Sequence, residues 1–168
     1  EEELHQLKLR LIKLKKTTEF FSKRKDQYSI LFLLFKESVL DETVIRRIEQ
    51  VLDAEGNMKK NASPELLEIS RSISEKESTA RRRIQHLYKQ AESEGWLAST
   101  GITYKDGRMV LPVLSEHKRK IRGITHDASA TGQTLFIEPE EVMELNNEIK
   151  ELQLRQRREI IRILVQLT

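Results

Sequence analysis

Apolar residues at the start of the chain recur at helical spacing. Leu4, Leu7, Leu11 and Leu14 fall three and four apart and predict one amphipathic helix. Thr17-Thr18 follows, a pair of low helix propensity, and predicts a break there. A second stripe takes in Phe21, Tyr28, Phe32, Phe35 and Val39, with the run Ile30-Leu31-Phe32-Leu33-Leu34-Phe35 inside it. A helix apolar over so much of its circumference should be sandwiched between others. Val44, Ile45, Ile48, Val51 and Leu52 carry a short third helix, with Asp41 or Thr43 as its cap and Gly56-Asn57 as its stop.

Ser63-Pro64-Glu65 combines a capping hydroxyl, a proline suited to the first helical position and an acid at the positive end of the helix dipole. Leu66, Ile69, Ile73, Ala80, Ile84, Leu87 and Ala91 then line one face, which predicts a helix running to about Trp96. Some 32 residues at 1.5 Å each make a rod of roughly 48 Å. Residues 101–137 change character, with four of the six glycines. Ile102-Thr103-Tyr104 and Met109-Val110-Leu111 flank Asp106-Gly107, a hairpin signal. Stretches 121–125 and 134–137 read as two more strands. Glu138-Pro139-Glu140-Glu141 reads as the opening of a last helix, whose stripe is Val142, Leu145, Ile149, Leu152, Ile160, Ile163 and Leu167.

The expected fold is therefore mainly α. A helical core (1–62) adjoins a long antiparallel lever helix pair (63–100 and 138–168), with a small antiparallel β-sheet of about four strands (101–137) inserted at its tip.

Composition narrows the function. The 168 residues include no Cys, so disulfide frameworks and thiolate metal sites are excluded. No apolar run approaches the roughly 20 residues of a membrane span. With 34% charged residues, 5% aromatics and a mean hydropathy of −0.56, the expectation is a soluble, cytoplasmic protein with no membrane partner. The net charge of +3 says little by itself, and the placement of the charges says more. Lys105, Arg108, Lys118, Arg119, Lys120 and Arg122 stand against Asp106 and Glu116 within the sheet region, a local excess of +4. On a regular third strand, Lys118, Lys120 and Arg122 would share a face at period two and could track phosphates. The plainer reading is a solvated edge whose charges discourage sheet-to-sheet association.

Other charged groups carry less. His126, Asp127 and Ser129 contain the residue types of a hydrolytic triad, but neighbours on a strand point to opposite faces. A tight loop, with Gly132 as its permissive residue, accounts for them. His5, His86, His117 and His126 are scattered without an i, i+4 pair, which disfavours a metal site. Glu138, Glu140, Glu141, Glu144 and Glu148 suit a helix start and an exposed face. Arg81-Arg82-Arg83 and Arg155, Arg157 and Arg158 spread around their helices and form no single contact face. Only Tyr104 neighbours the basic sheet, too little for a base-stacking platform.

Three stretches resemble the MutS superfamily of DNA mismatch-repair ATPases. The first, Asp53-Ala54-Glu55-Gly56-Asn57-Met58-Lys59-Lys60-Asn61-Ala62-Ser63-Pro64-Glu65-Leu66, resembles the loop before the long lever helix. The second is Gly107-Arg108-Met109-Val110-Leu111-Pro112-Val113. The third and most specific is Gly123-Ile124-Thr125-His126-Asp127-Ala128-Ser129-Ala130-Thr131-Gly132-Gln133-Thr134-Leu135-Phe136-Ile137-Glu138-Pro139, followed by Leu145-Asn146-Asn147-Glu148. The last two are similar to the second bacterial branch, which lacks the mismatch-reading domain. The resemblance implies a core, lever and reduced clamp region within a larger protein. Gly123, His126, Asp127, Ser129, Gly132, Glu138, Pro139, Asn146 and Asn147 would then be structural, and the segment itself non-catalytic and without a cofactor.

For the parent, the resemblance implies an ATPase using ATP and Mg, a possible nuclease domain and a homodimer. No G-x-x-x-x-G-K-[ST] occurs in these residues. The implied partner is double-stranded or branched DNA, in repair or recombination. The alternative is a protein- or ribosome-interaction module of the same parent, binding RNA or protein and not DNA, since a basic tip would grip ribosomal RNA equally well.

Overall fold

A computed structural model describes residues 1–36, 42–99 and 101–167. The sequence expectations at Val39 and Asp41 lie outside the described residues. Among the described residues, five α-helices and a four-stranded antiparallel sheet make up the fold, in the order α1 (Glu2–Ser22), α2 (Ser29–Lys36), α3 (Glu42–Val51), α4 (Pro64–Ser93), β1 (Thr103–Lys105), β2 (Arg108–Leu114), β3 (Gly123–Ala128), β4 (Thr134–Pro139) and α5 (Glu140–Leu167), with a 3-10 turn at Ser115–His117. The chain divides into two units, one of residues 1–67 with 158–168, the other of residues 68–157.

In the first unit, Ile48, Val51, Leu52, Leu66 and Ile163 form a small core, with Leu4, Met58, Ile160 and Leu167 at its margin. The expected break at Thr17-Thr18 is absent. Each hydroxyl donates back to the carbonyl four residues earlier, to Lys13 and Leu14 at 3.0 Å, so the helix continues to Ser22. Among the described residues, the expected sandwiching of α2 does not form either. Its apolar residues touch α1 through Phe21, which stacks on Phe35 at 5.4 Å, while Ile30, Leu33 and Leu34 are 75%, 61% and 70% exposed. Helix α3 stops at Val51, ahead of Gly56-Asn57. The two residues belong instead to a turn in which Asp53 Oδ1 accepts the amides of Glu55 (3.0 Å) and Asn57 (2.8 Å). Ser63 then caps α4, its Oγ accepting the Leu66 amide at 3.0 Å.

The second unit holds the larger core. Ala80, Ile84 and Ala91 of α4 meet Met109, Leu111, Val113 and Ile137 of the sheet and Val142, Leu145 and Ile149 of α5. The α4–α5 pairing is antiparallel here. Ser70 bonds Gln156, Lys76 pairs with Glu148, and Arg83 reaches the Glu141 carbonyl, so one number rises as the other falls.

The sheet order is β1-β2-β4-β3, all antiparallel. Asp106 and Gly107, both with positive φ (50° and 77°), close the β1–β2 hairpin as the sequence predicts. Two boundaries move. Helix α4 ends at Ser93, and residues 96–98 instead return along β2, Ala98 donating to the Pro112 carbonyl and Leu114 to that of Trp96. Strand β4 continues through Glu138 and Pro139, which pair with Ile124 and Gly123, so α5 opens only at Glu140. Proline is tolerated there at the strand's end, where no further ladder amide is needed.

Candidate functional site

The third strand begins two residues later than its sequence suggests, which rearranges the cations. Residues 118–122 form a turn following the 3-10 segment. Lys118 donates its amide to the Ser115 carbonyl and Lys120 to that of His117. A regular period-two face made of Lys118, Lys120 and Arg122 therefore does not form. Ile121 explains why. It is the one apolar residue in the run Lys118-Arg119-Lys120-Ile121-Arg122 and it is buried in the core of the second unit, so the backbone coils to plant it.

The consequence is a compact cationic turn. Lys118, Arg119, Lys120 and Arg122 are all exposed. Lys120 Nζ lies 6.0 Å from the centroid of the Trp96 ring, within cation–π range. Among the described residues, Lys118, Arg119 and Arg122 have no side-chain hydrogen bond or ion pair. The turn's exit is held from below: Arg122 O accepts the Glu140 amide at 3.0 Å, and Gly123 lies so close to the Glu138 carbonyl that a Cβ there would sit 2.0 Å from its oxygen.

Lys105 and Arg108 behave differently. Lys105 crosses the Phe136 ring, 4.2 Å from its centroid, to pair with Asp127 Oδ2 at 2.6 Å. That ammonium holds the Asp127 carboxyl below its ordinary range, helped by the Ala128 amide. Arg108 donates Nη1 to Glu138 Oε1 at 2.8 Å and Nη2 to Asn147 Oδ1 at 2.6 Å. Of the six cations singled out from sequence, the fold thus commits two to internal partners and gathers four on one turn.

Behind the sheet sits a buried polar cluster. Glu138 is 1% exposed. Its Oε1 also accepts Asn146 Nδ2 at 2.8 Å, and its Oε2 faces His126 Nε2 at 2.5 Å. Burial alone would raise its pKa, but the donors Asn146, His126 and Arg108 together outweigh that and hold it below the usual carboxylate value. An ionised Glu138 only accepts, so His126 carries its proton on Nε2. The Asn146 amide also completes strand β2. Its Oδ1 takes the Met109 amide (3.3 Å) and its Nδ2 faces the Met109 carbonyl (3.2 Å), just beyond the point where the β4 pairing with Leu111 ends.

The third motif resolves into this cluster and a loop. Ser129 Oγ accepts the Thr134 amide at 3.0 Å, Gly132 donates to the Ser129 carbonyl, and Gly132 has a φ of +71°. His126, Asp127 and Ser129 therefore face three different partners and form no chain of hydrogen bonds with one another. Glu138, Pro139, Asn146 and Asn147 lie at the β4–α5 junction. Sequence reasoning placed Glu138 at an exposed helix start. The signal it passed over was the apolar Ile137 and Pro139 on either side, and the seat of Asn146 between Val142, Leu145 and Ile149 on the buried stripe of α5.

No family model matches the chain. Curated proteins bearing the name Endonuclease MutS2 do. That of Pelotomaculum thermopropionicum is 35% identical over 150 residues, 89% of this chain and 19% of that protein. That of Alkaliphilus oremlandii is 40% identical over 121 residues, 72% of this chain and 15% of that protein. That of Levilactobacillus brevis is 40% identical over 133 residues, 79% and 17% respectively. The chain thus spans less than a fifth of the length of these relatives.

Proposed function

Taking as premise that the chain belongs to the MutS family as a MutS2-like fragment, we propose that it is a non-catalytic core, lever and clamp module that grips nucleic-acid backbone without reading sequence. The observation that carries this is the turn 118–122: four exposed cations in five residues, pinned by the buried Ile121. Phosphate contacts of this kind give affinity and carry no base information. In this reading the long helices α4 and α5 are the stiff rods that transmit a displacement. In the whole protein, an ATPase domain binding ATP and Mg would supply the motion, a homodimer would surround the nucleic acid, and any nuclease chemistry would belong to another domain. Double-stranded or branched DNA is the ligand this reading favours, with structured RNA as its competitor.

The test is titration of the chain with labelled duplex DNA at several salt concentrations. Four phosphate contacts predict a slope of log K against log salt of about −3.6. Removing Lys118, Arg119 and Arg122 together should flatten the slope by about 2.7. Binding with no salt dependence, or a slope unchanged by the triple substitution, would overturn the grip. Tighter binding to duplex RNA would transfer it to the competitor.

A further inference from the structure

The cationic turn has no side-chain bond of its own to most of its surroundings, yet a mobile turn would have to be ordered on binding. Three contacts bear on its placement. Ile121 is buried on the way in. On the way out, the Arg122 carbonyl takes the Glu140 amide, and Gly123 lies flat against the Glu138 carbonyl. The exit therefore rests on residues 138–140, and the stiffness of that strand end decides how well the turn is held.

The Glu138 side chain is what ties that strand end down. One carboxylate accepts from Arg108 on β2, His126 on β3 and Asn146 on α5. Arg108 extends the tie to Asn147 on α5, and Asn146 extends it to both backbone groups of Met109. Three strands and a helix meet at a single buried group. Charge-assisted bonds of this kind are about twice as strong as neutral ones and are geometrically demanding.

We propose that Arg108, His126, Glu138, Asn146 and Asn147 form a positioning latch, which locks the β4–α5 junction and so presents the turn 118–122 in one conformation ready for phosphate. This rests on the reading of that turn as the backbone grip. It gives the histidine and the paired asparagines of the third motif a role. It also assigns Arg108 to positioning the turn and not to the ligand. The latch cannot create affinity by itself. It removes the entropy cost of ordering the cations when the ligand arrives.

Amide hydrogen exchange of the chain without ligand tests the latch, and duplex titration tests its use. Asn147→Ala removes one partner of Arg108 at an exposed position. Glu138→Gln removes the central charge. Each should speed exchange of the Lys120 amide, which donates to the His117 carbonyl, and of the Glu140 amide, which donates to that of Arg122, by roughly tenfold or more, with Glu138→Gln the larger, while amides in the middle of α4 keep their rates. Each should also weaken duplex binding several-fold with the salt slope unchanged, because the cations are all still present. Wild-type exchange at Lys120 and Glu140 in a folded variant would overturn the latch. So would equal acceleration throughout residues 68–157, the mark of a purely structural role. If Glu138→Gln does not fold, Asn147→Ala decides alone. Failure of the unsubstituted chain to bind duplex would instead overturn the grip, and with it the purpose assigned to the latch.

Discussion

Gly123 is held by space more than by conformation. A methyl group at this position would meet the Glu138 carbonyl oxygen at 2.0 Å, and the obstacle is backbone, which cannot swing aside. Gly123→Ala should therefore cost at least about 3 kcal/mol, the upper end of overpacking penalties, and urea denaturation will measure it. Ser63 and Glu159 make a second residue-level case. Ser63 Oγ–H donates to Glu159 Oε1 at 2.6 Å while the same oxygen caps α4. Arg162 first, and Ser63 second, hold the Glu159 carboxyl down at about 2, against an ordinary 4.5. The folded form binds that proton more weakly than the unfolded chain. The resulting stabilisation is complete above about pH 5 and is lost as the pH falls from 4.5 towards 2. Ser63→Ala should cost about 1–2 kcal/mol at neutral pH through the lost cap. It should also shrink the acid-dependent loss and end it at a higher pH, because the folded pKa of Glu159 rises while the unfolded value, which sets the onset, stays where it is. An acid titration of thermal stability that is identical in the two proteins would contradict the assignment.

At the scale of elements, what the sequence revealed and what it hid divide along a physical line. Periodic segments were legible: the stripe from Leu66 to Ala91 and that from Val142 to Leu167 became α4 and α5, and Asp106-Gly107 became a hairpin turn. Segments decided by one residue were not. Lys118, Lys120 and Arg122 would share a face on a regular strand, but Ile121 finds a core seat and the backbone coils around it. Thr17-Thr18 has poor helix propensity, but back-bonding hydroxyls carry α1 through. Pro139 after an acid suggests a helix start, but Glu138 finds three donors by staying in the strand. The candidate site was legible as a composition, six cations near a sheet. Which of them are available was not, because the acids that engage Lys105 and Arg108 lie 22 and 30 residues away.

For the molecule as a whole, the most consequential feature is the bare face of α2. Ile30, Leu33 and Leu34 are each more than 60% exposed, on a helix whose opposite side is occupied by the aromatic cluster of Phe21, Tyr28 and Phe35. Three large aliphatic side chains within five residues make a contiguous patch of the kind that monomers avoid leaving in water. Its cover in solution can come from a second copy of the same helix. The chain should therefore associate as its concentration rises, and the association should strengthen with salt, because burial of apolar surface drives it and not charge pairing. That salt response separates it from the duplex grip, which weakens as salt is added. Leu34→Glu places a charge on the patch without touching the core and should return the chain to a monomer while leaving thermal stability within about 0.5 kcal/mol of the parent value. Static light scattering across a dilution series decides the matter: a monodisperse monomer at all concentrations, before any substitution, would mean that α2 is content in water.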